Sequence, residues 1–477
     1  MTKQSRFAQL NITEFSKEGL GKGDWVTGTG VLHPVEVPFS MPGDEVNVRL
    51  MKKTRGIYQS EPVDWIQFST DRVKPQCQHF GKCGGCRWQH IAYEDQLKQK
   101  EALIKGYFSP FLQENTAWHP IIPCQSPWEY RNKMELSFSA DKAGNRYLGL
   151  ILYGTRGYVF QMQECRLMSE WVSKAVKSVS QWWEASGLEA YHMGKNKGSL
   201  RTLTLRQGQR TGDRMVILTV SGNPDFALNK KQLDHFVAAL RESIEPSILD
   251  QKLSIFLRIQ QIAKGQATQF YEMLLYGPDH IREILHIETE KNQSDLLNFR
   301  ISPTAFFQPN TLQAEKLYSE AIQLTQAPSG SIIYDLYCGT GTLGICMAKK
   351  AKKVVGIEIN PESSLDAVEN VKKNHLSHVS ILTGDVGHLL GPLLQDPGLR
   401  PDVVLVDPPR AGLDDRAIGH LIRIKAPILT YISCNPATQA KNLAILLKEG
   451  YHLRAVQPVD QFPHTLHVEN IAVLTRS

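Results

Sequence analysis

Apolar and polar residues alternate in short runs over the first stretch of the chain: "FAQLNITEFS", "DWVTGTGVLH", "VEVPF", "DEVNVRLMKK" and "GIYQSEPVDWI". Gly and Pro separate the runs. Period-two alternation broken by turn residues predicts short strands, here a small β-barrel over residues 1–65. The period changes at "YEDQLKQKEALIKGYF" (93–108), which reads as an amphipathic helix. Residues 125–295 mix both patterns, with strands such as "KMELSFSA" and "MVILTVSG" and the helix "SEWVSKAVKSVSQWWEAS". From about residue 300 short apolar runs alternate with helical segments: "SIIYDLY", "KVVGIEI", "VSILTGD", "DVVLVDPP", "APILTYISC", "YHLRAVQPVD" and "VENIAVLT". That alternation predicts a doubly wound α/β domain with a mostly parallel sheet. The expected organisation is a β-barrel (1–65), a mixed α+β central domain (66–295) and a Rossmann-like α/β domain (296–477), with helix 93–108 free to pack on the last.

Composition agrees with several soluble domains. A chain of 477 residues exceeds one core, and 42% hydrophobic with 21% charged residues is a globular balance. No stretch approaches the roughly 20 apolar residues of a membrane span. The start, "MTKQSRFAQLNITEF", has no apolar signal core, so the expected compartment is the cytoplasm. Net charge is +6, which permits a nucleic-acid partner without demanding one. Two locally basic stretches, "RLMKKTRG" (49–56) and "GKNKGSLRTLTLRQGQRTGDR" (194–214), are solvated strand faces or phosphate contacts.

Disulfides are rare in a reducing compartment, so eight cysteines need another explanation. Cys77, Cys83 and Cys86 in "CQHFGKCGGC" are spaced C-x5-C-x2-C and bent together by Gly84-Gly85. Such crowding predicts metal ligation. Cys165 in "QMQECRLMS" is the best fourth ligand, with His79 or His90 behind it. Four thiolates suit either Zn or a [4Fe–4S] cluster, and the spacing does not choose between them. It does differ from the tight three-cysteine motif of radical enzymes. Cys124, Cys338 and Cys346 read as small buried hydrophobes.

In "YDLYCGTGTLGICMA" (334–348) a strand runs into Gly339-x-Gly341-x-x-Gly344 and a helix, and Glu358 closes the next strand. This is the pattern of a nucleotide crevice, with glycines for close backbone approach and a carboxylate for ribose hydroxyls. The ligand is a nicotinamide nucleotide or S-adenosylmethionine, since both present an adenosine ribose. "DVVLVDPPRAGL" favours the second. Asp407-Pro408-Pro409-Arg410 sets a rigid, donor-poor turn over the crevice, where methyltransferases of planar bases hold the acceptor. Taken alone "DPP" is ordinary turn chemistry. Cys434, closing the next strand in "YISCNPATQAKNL", faces the same crevice. A thiol beside a methyl donor and a planar base suits pyrimidine C5 chemistry. Addition of the thiolate to C6 makes C5 a carbanion that attacks a sulfonium methyl, and a base must then remove the C5 proton.

With these residues assembled, the chain resembles the RNA uracil-C5 methyltransferases that carry an N-terminal TRAM barrel and a [4Fe–4S] cluster, the bacterial 23S ribosomal RNA branch in particular. The resemblance covers nearly the whole chain, and "KEGLGKG" is similar to the TRAM entry segment. It implies that Cys77, Cys83, Cys86 and Cys165 hold an iron–sulfur cluster rather than zinc. It implies S-adenosylmethionine contacts at Gln308 of "FFQPN", Tyr337, Gly339, Gly341, Thr342, Glu358 and Asp407. Thr342 stands where some relatives carry Asn, and Asp385 of "LTGDV" would lie near the adenine by the logic of the fold. Cys434 matches the nucleophile and Glu469 of "HTLHVENIAVL" the base that removes the C5 proton. His464, His467 and Glu469 split between the faces of an extended strand and are not expected to hold a second metal. Arg410 pairs structurally, meets an RNA phosphate, or polarises uracil O4.

The expectation is a monomeric, cytoplasmic, S-adenosylmethionine-dependent RNA (uracil-C5)-methyltransferase acting on 23S ribosomal RNA through a covalent Cys434–C6 intermediate, with the target base flipped from its stack. Alternatives are a transfer-RNA T-loop methyltransferase, an amino-group methyltransferase that needs no thiol, and a non-catalytic RNA-binding assembly factor.

Overall fold

Three sheets and a two-stranded hairpin organise the chain in this computed structural model, which describes residues 6–262, 268–290 and 293–476. The chain forms two compact units, Met1–Gly106 with Phe462–His467, and Tyr107–Gln461 with Val468–Ser477.

The first unit contains a six-stranded sheet in the spatial order Arg6–Asn11, Glu45–Thr54, Ile57–Gln67, Leu32–Val37, Gly21–Val26, Glu14–Phe15. The alternation read from sequence is seen directly: Leu10, Ile12, Val35, Val37, Val46 and Val48 point to one side and share one core. A single sheet whose inward residues all meet must curl on itself. The two long strands turn through Arg55-Gly56, both left-handed (φ 51° and 87°), as a tight hairpin requires. Beyond the sheet, Trp88 is buried and its indole N–H donates to the Gly19 carbonyl at 2.8 Å. Residues 77–83 are wound into turns, with the Cys83 N–H donating to the His79 carbonyl at 2.9 Å. The helix Tyr93–Phe108 follows, at the expected bounds.

In the second unit a seven-stranded sheet has the order Val159–Gln161, Arg146–Ile151, Lys133–Ala140, Leu200–Gln207, Arg214–Ser221, Leu253–Gln261, Gln269–Tyr276. Helices Trp171–Ser186 and Lys230–Ile244 cover one face, where Leu136, Leu203, Leu205, Val216 and Leu218 meet Val172, Val176, Trp183, Phe236 and Leu240. The opposite face carries Glu135, Thr204 and Arg258.

The eight-stranded sheet of the same unit runs Val379–Thr383, Ala351–Glu358, Ser331–Leu336, Val403–Val406, Ile428–Ser433, Glu469–Thr475, His452–Val459, Ala117–Trp118. The first five strands are parallel, so all five end at one edge. Glu469–Thr475 is antiparallel to its neighbours, so it begins at that edge. One rim therefore collects the carboxyl ends of six strands, His452–Val459 among them, and the amino end of Glu469–Thr475. No helix among the described residues is long and apolar enough to cross a membrane.

Candidate active site

The rim is built strand by strand. Ser331–Leu336 leads into Tyr337, Gly339 and Gly341, all left-handed (φ 64°, 55° and 76°), and then the helix Thr342–Met347. A Cβ on Gly339 would meet no atom within 4 Å, so this glycine faces open space. Gly344 is different: a Cβ there would lie 2.8 Å from Asp335 Oδ2, and its N–H donates to that same oxygen at 2.8 Å. Only glycine lets the helix approach the strand so closely.

Glu358 ends the neighbouring strand and is 9% exposed. Its Oε2 accepts the Gly339 N–H at 2.9 Å and its Oε1 the Asn360 N–H at 2.7 Å. Each oxygen keeps a lone pair for another donor. Thr342 and Thr340 share a hydroxyl contact of 2.8 Å beneath the loop. Asp385 caps the helix Val386–Gln395 through the His388 N–H and pairs with Arg416 Nη2 at 2.7 Å. Gln308 is buried and hydrogen-bonds the Asp407 side chain.

Asp407 and Cys434 each stand one residue beyond a strand, Val403–Val406 and Ile428–Ser433. Ser433 pairs with Asn470, so the next step of that register brings Cys434 alongside Glu469. Adjacent loops are laced together. The Gly412 N–H closes a turn onto the Pro409 carbonyl at 2.8 Å, and Asn442 exchanges two bonds of 3.0 Å with the backbone of Leu413. Behind them, Gln439 donates to the carbonyls of Tyr431 (2.8 Å) and Asn470 (3.2 Å).

Electrostatics join the same residues. Burial raises the Glu469 carboxyl well above the usual range, the Asp407 charge adds to this, and Arg410 opposes it. Asp407 is pushed up to about 7 by burial, against its bond from Gln308. It keeps part of its surface open to solvent, which tempers that rise. The half-buried Cys434 thiol is pushed up to about 11 by burial and by Glu469 and Asp407, with Arg410 opposing. Glu469 Oε2, Asn470 Oδ1 and Gln461 Oε1 are buried acceptors with no donor.

All ten residues expected at a methyl-donor and acceptor crevice thus lie on or beside one rim. The four cysteines assigned to a cluster are divided: Cys77, Cys83 and Cys86 lie in the first unit and Cys165 in the second, packed on the core of the seven-stranded sheet. Cys83 Sγ accepts the Gly85 N–H at 3.3 Å. Among the described residues no group of three or more His, Cys, Asp or Glu side chains is gathered to hold a metal ion.

Sequence reasoning passed over three features of the rim. Asp335 is fully buried and pushed up to about 7 by burial, with Asp407 and Glu358 adding to this and the Gly344 N–H opposing it. The signal was there, a lone acid in the apolar run "SIIYDLY". Ile359 and Phe306 are large apolar residues 65% and 64% exposed, Ile359 directly after Glu358 and Phe306 accepting from Thr340 through its carbonyl (3.5 Å). Exposure of this kind leaves no mark on an apolar pattern.

The model of the tRNA (uracil-5-)-methyltransferase family matches residues 228–385 and 397–477, half of the chain. This chain belongs to that family. Relatives agree along its length. An uncharacterized RNA methyltransferase of Protochlamydia amoebophila is 61% identical over 92% of this chain and 100% of its own. One from Halalkalibacterium halodurans is 31% identical over 98% of this chain and 96% of its own. Among solved structures, the tRNA (uracil-54, C5)-methyltransferase of Pyrococcus abyssi in complex with S-adenosyl-L-homocysteine superposes with a TM-score of 0.72. It is 25% identical and covers 98% of this chain and 99% of its own. The protein is therefore an enzyme, a methyltransferase with the Rossmann-like fold of S-adenosylmethionine-dependent members of this family.

Proposed function

We propose that this uracil-5-methyltransferase relative methylates C5 of a uridine in RNA through a temporary bond between Cys434 Sγ and C6 of the ring. The observation that carries the reading is the register between Ile428–Ser433 and Glu469–Thr475, which leads a thiol and a buried carboxyl side by side. S-adenosylmethionine supplies the methyl group as an electrophilic sulfonium. Glu358 holds the donor's ribose by its spare lone pairs, and Tyr337, Gly339, Gly341, Thr342, Gln308 and Asp385 line its path. Asp407 joins them in contacting the donor, and the turn Asp407-Pro408-Pro409-Arg410 lies where the base is held.

Burial and the neighbouring carboxyls keep Cys434 a thiol near neutral pH, so its proton passes to solvent water as the thiolate forms. Its sulfur then bonds to C6, and C5 attacks the methyl carbon with departure of the neutral thioether. Glu469 takes the C5 proton, the C6–S bond breaks, and the C5–C6 double bond returns. A carboxyl whose burial favours its neutral form is a strong base once ionised, which suits this step.

RNA containing 5-fluorouridine at the target tests the covalent step, because fluorine at C5 cannot leave as a proton. A methylated adduct on the Cys434 peptide is expected by mass spectrometry. Active enzyme that forms no adduct defeats the mechanism. It would favour the amino-group alternative, for which Cys434→Ala stays active.

The target proposed is 23S ribosomal RNA, on the motif set along the whole chain. Transfer RNA is the second reading, favoured by the substrate named for the archaeal enzyme of similar fold. Mass mapping of both RNAs after incubation with the protein separates the two. The six-stranded sheet is proposed as a TRAM barrel that grips RNA, in a monomeric cytoplasmic protein. Cys77, Cys83, Cys86 and Cys165 are proposed as ligands of a [4Fe–4S] cluster, on the resemblance of these four positions to those of the cluster-bearing RNA uracil-C5 methyltransferases. Anaerobic purification followed by iron and acid-labile sulfide analysis tests this, and a protein with neither is without the cluster.

A further inference from the structure

Lys133 and Arg206 face each other across two strands of the seven-stranded sheet, paired in register. Like charges directly opposite on a sheet destabilise it. Arg206 is 2% exposed, so water screens it little. Its Nη1 donates to the carbonyls of Ser302 (3.2 Å) and Ala305 (2.8 Å), and no carboxylate pairs with it among the described residues. Lys133 is half-buried, and no hydrogen bond or ion pair reaches its ammonium among the described residues.

The surrounding charges do not compensate. Arg131 and Arg258 add two more cations near Lys133, and Glu135 on its own strand is exposed. Glu272 is already bound by Arg258 at 2.6 Å. Asp366, which faces Arg206, is taken by Arg300 at 3.3 Å and the Ser302 N–H at 3.1 Å. Burial, then Arg206, pulls the Lys133 ammonium down to about 8 despite Glu135. Lys133 is thus a half-buried cation with no counterion of its own, set among other cations, and such a position favours an anion.

Its location narrows the anion. The carbonyls held by Arg206 belong to the segment leading to Gln308, which bonds Asp407. Beside Lys133, Asn132 Nδ2 donates to the Gln308 carbonyl at 2.8 Å. The cluster thus sits at the root of the loop that enters the active rim. We propose that Lys133, in the field of Arg206, binds a backbone phosphate of the RNA close to the target uridine. The assignment rests on the RNA reading above.

Binding of a fluorescein-labelled single-stranded RNA to the full chain, read by anisotropy across salt and pH, tests it without any methyl transfer. Lys133→Gln should weaken binding about 5- to 10-fold and reduce the slope of log affinity against log salt by about one. Wild-type affinity should fall from about pH 7 to about pH 9.5 as the amine loses its proton, whereas Lys133→Arg should hold its affinity over that range. If correctly folded Lys133→Gln keeps the wild-type salt slope and pH profile, the site does not exist. If inorganic phosphate stabilises wild type but not Lys133→Gln while RNA affinity is unchanged, the occupant is a small anion and the RNA assignment falls. A protein that binds RNA through Lys133 but transfers no methyl group would sink the proposed function and leave this site standing.

Discussion

The side-chain amide of Asn435 donates to the backbone carbonyl of Arg410 at 3.1 Å, joining the turn after Cys434 to the turn after Asp407. Asn442, one helical stretch further on, grips Leu413 at the far end of the same loop and accepts the Tyr431 hydroxyl at 2.8 Å. The two loops are held as one piece, and the spacing of thiol, carboxylate and guanidinium depends on both ties. Asn435→Ser keeps a good cap for the helix Pro436–Lys448 but is too short to reach Arg410. Methyl transfer should fall by up to about 10²-fold, the cost that a misplacement of about 1 Å can carry. Affinity for S-adenosylhomocysteine, measured by calorimetry, should not change. An unchanged turnover would show that the tie does not set the geometry.

Glu469→Gln separates the two halves of the reaction. The amide has nearly the shape of the acid but cannot take a proton, so addition and methylation proceed while release stalls. Turnover should drop about 10²- to 10⁴-fold, the usual cost of losing a positioned base. Ordinary uridine RNA should then stay attached to Cys434, visible as a denaturation-resistant band carrying label from the methyl donor. A slow variant with no such band would move the base elsewhere.

Much of this site was legible because its chemistry sits at strand ends. Every apolar run from "SIIYDLY" to "VENIAVLT" became a strand of the eight-stranded sheet, and the residue that closes or opens each run is the one at the rim. Short hydrophobic stretches flanked by Gly, Asp-Pro-Pro and Cys-Asn-Pro carry both their own boundaries and their functional residue. What stayed hidden depends on pairing between distant segments. Nothing in the local pattern says that Glu469–Thr475 runs antiparallel, yet that reversal is what brings Glu469 to the edge where Cys434 ends. The same holds for Lys133 and Arg206, ordinary strand-face cations until register sets them opposite each other.

Glu358 links cofactor affinity to loop order. Its two oxygens hold the backbone N–H groups of Gly339 and Asn360, so Glu358→Ala removes both anchors along with the proposed ribose contact. Hydrogen bonds to a charged group contribute about 1.5–3 kcal/mol each. Loss of one such contact to the donor should raise the S-adenosylhomocysteine dissociation constant about 10- to 100-fold. Glu358→Gln retains acceptors for one oxygen and should lose less. Equal affinity in all three proteins would remove Glu358 from the donor site.

Asp335 makes a prediction about pH and folding rather than catalysis. Its carboxyl is held near 7 in the fold, mainly by burial, against about 4 in an unfolded chain. The native state therefore binds the extra proton between those values, and stability from this group declines as pH rises through that window and is level above it. Asp335→Asn has no proton to lose, and its side-chain oxygen still accepts from the Gly344 N–H. Relative to wild type the variant should gain about 2 to 4 kcal/mol on going from about pH 4 to about pH 8, with the two proteins drawing together at the acid end. Asp407 and Glu469 are raised as well and stay in both proteins, so the comparison isolates one carboxyl. Urea unfolding across that range measures it. A constant offset between the two curves would mean that Asp335 titrates in the fold as it does in water.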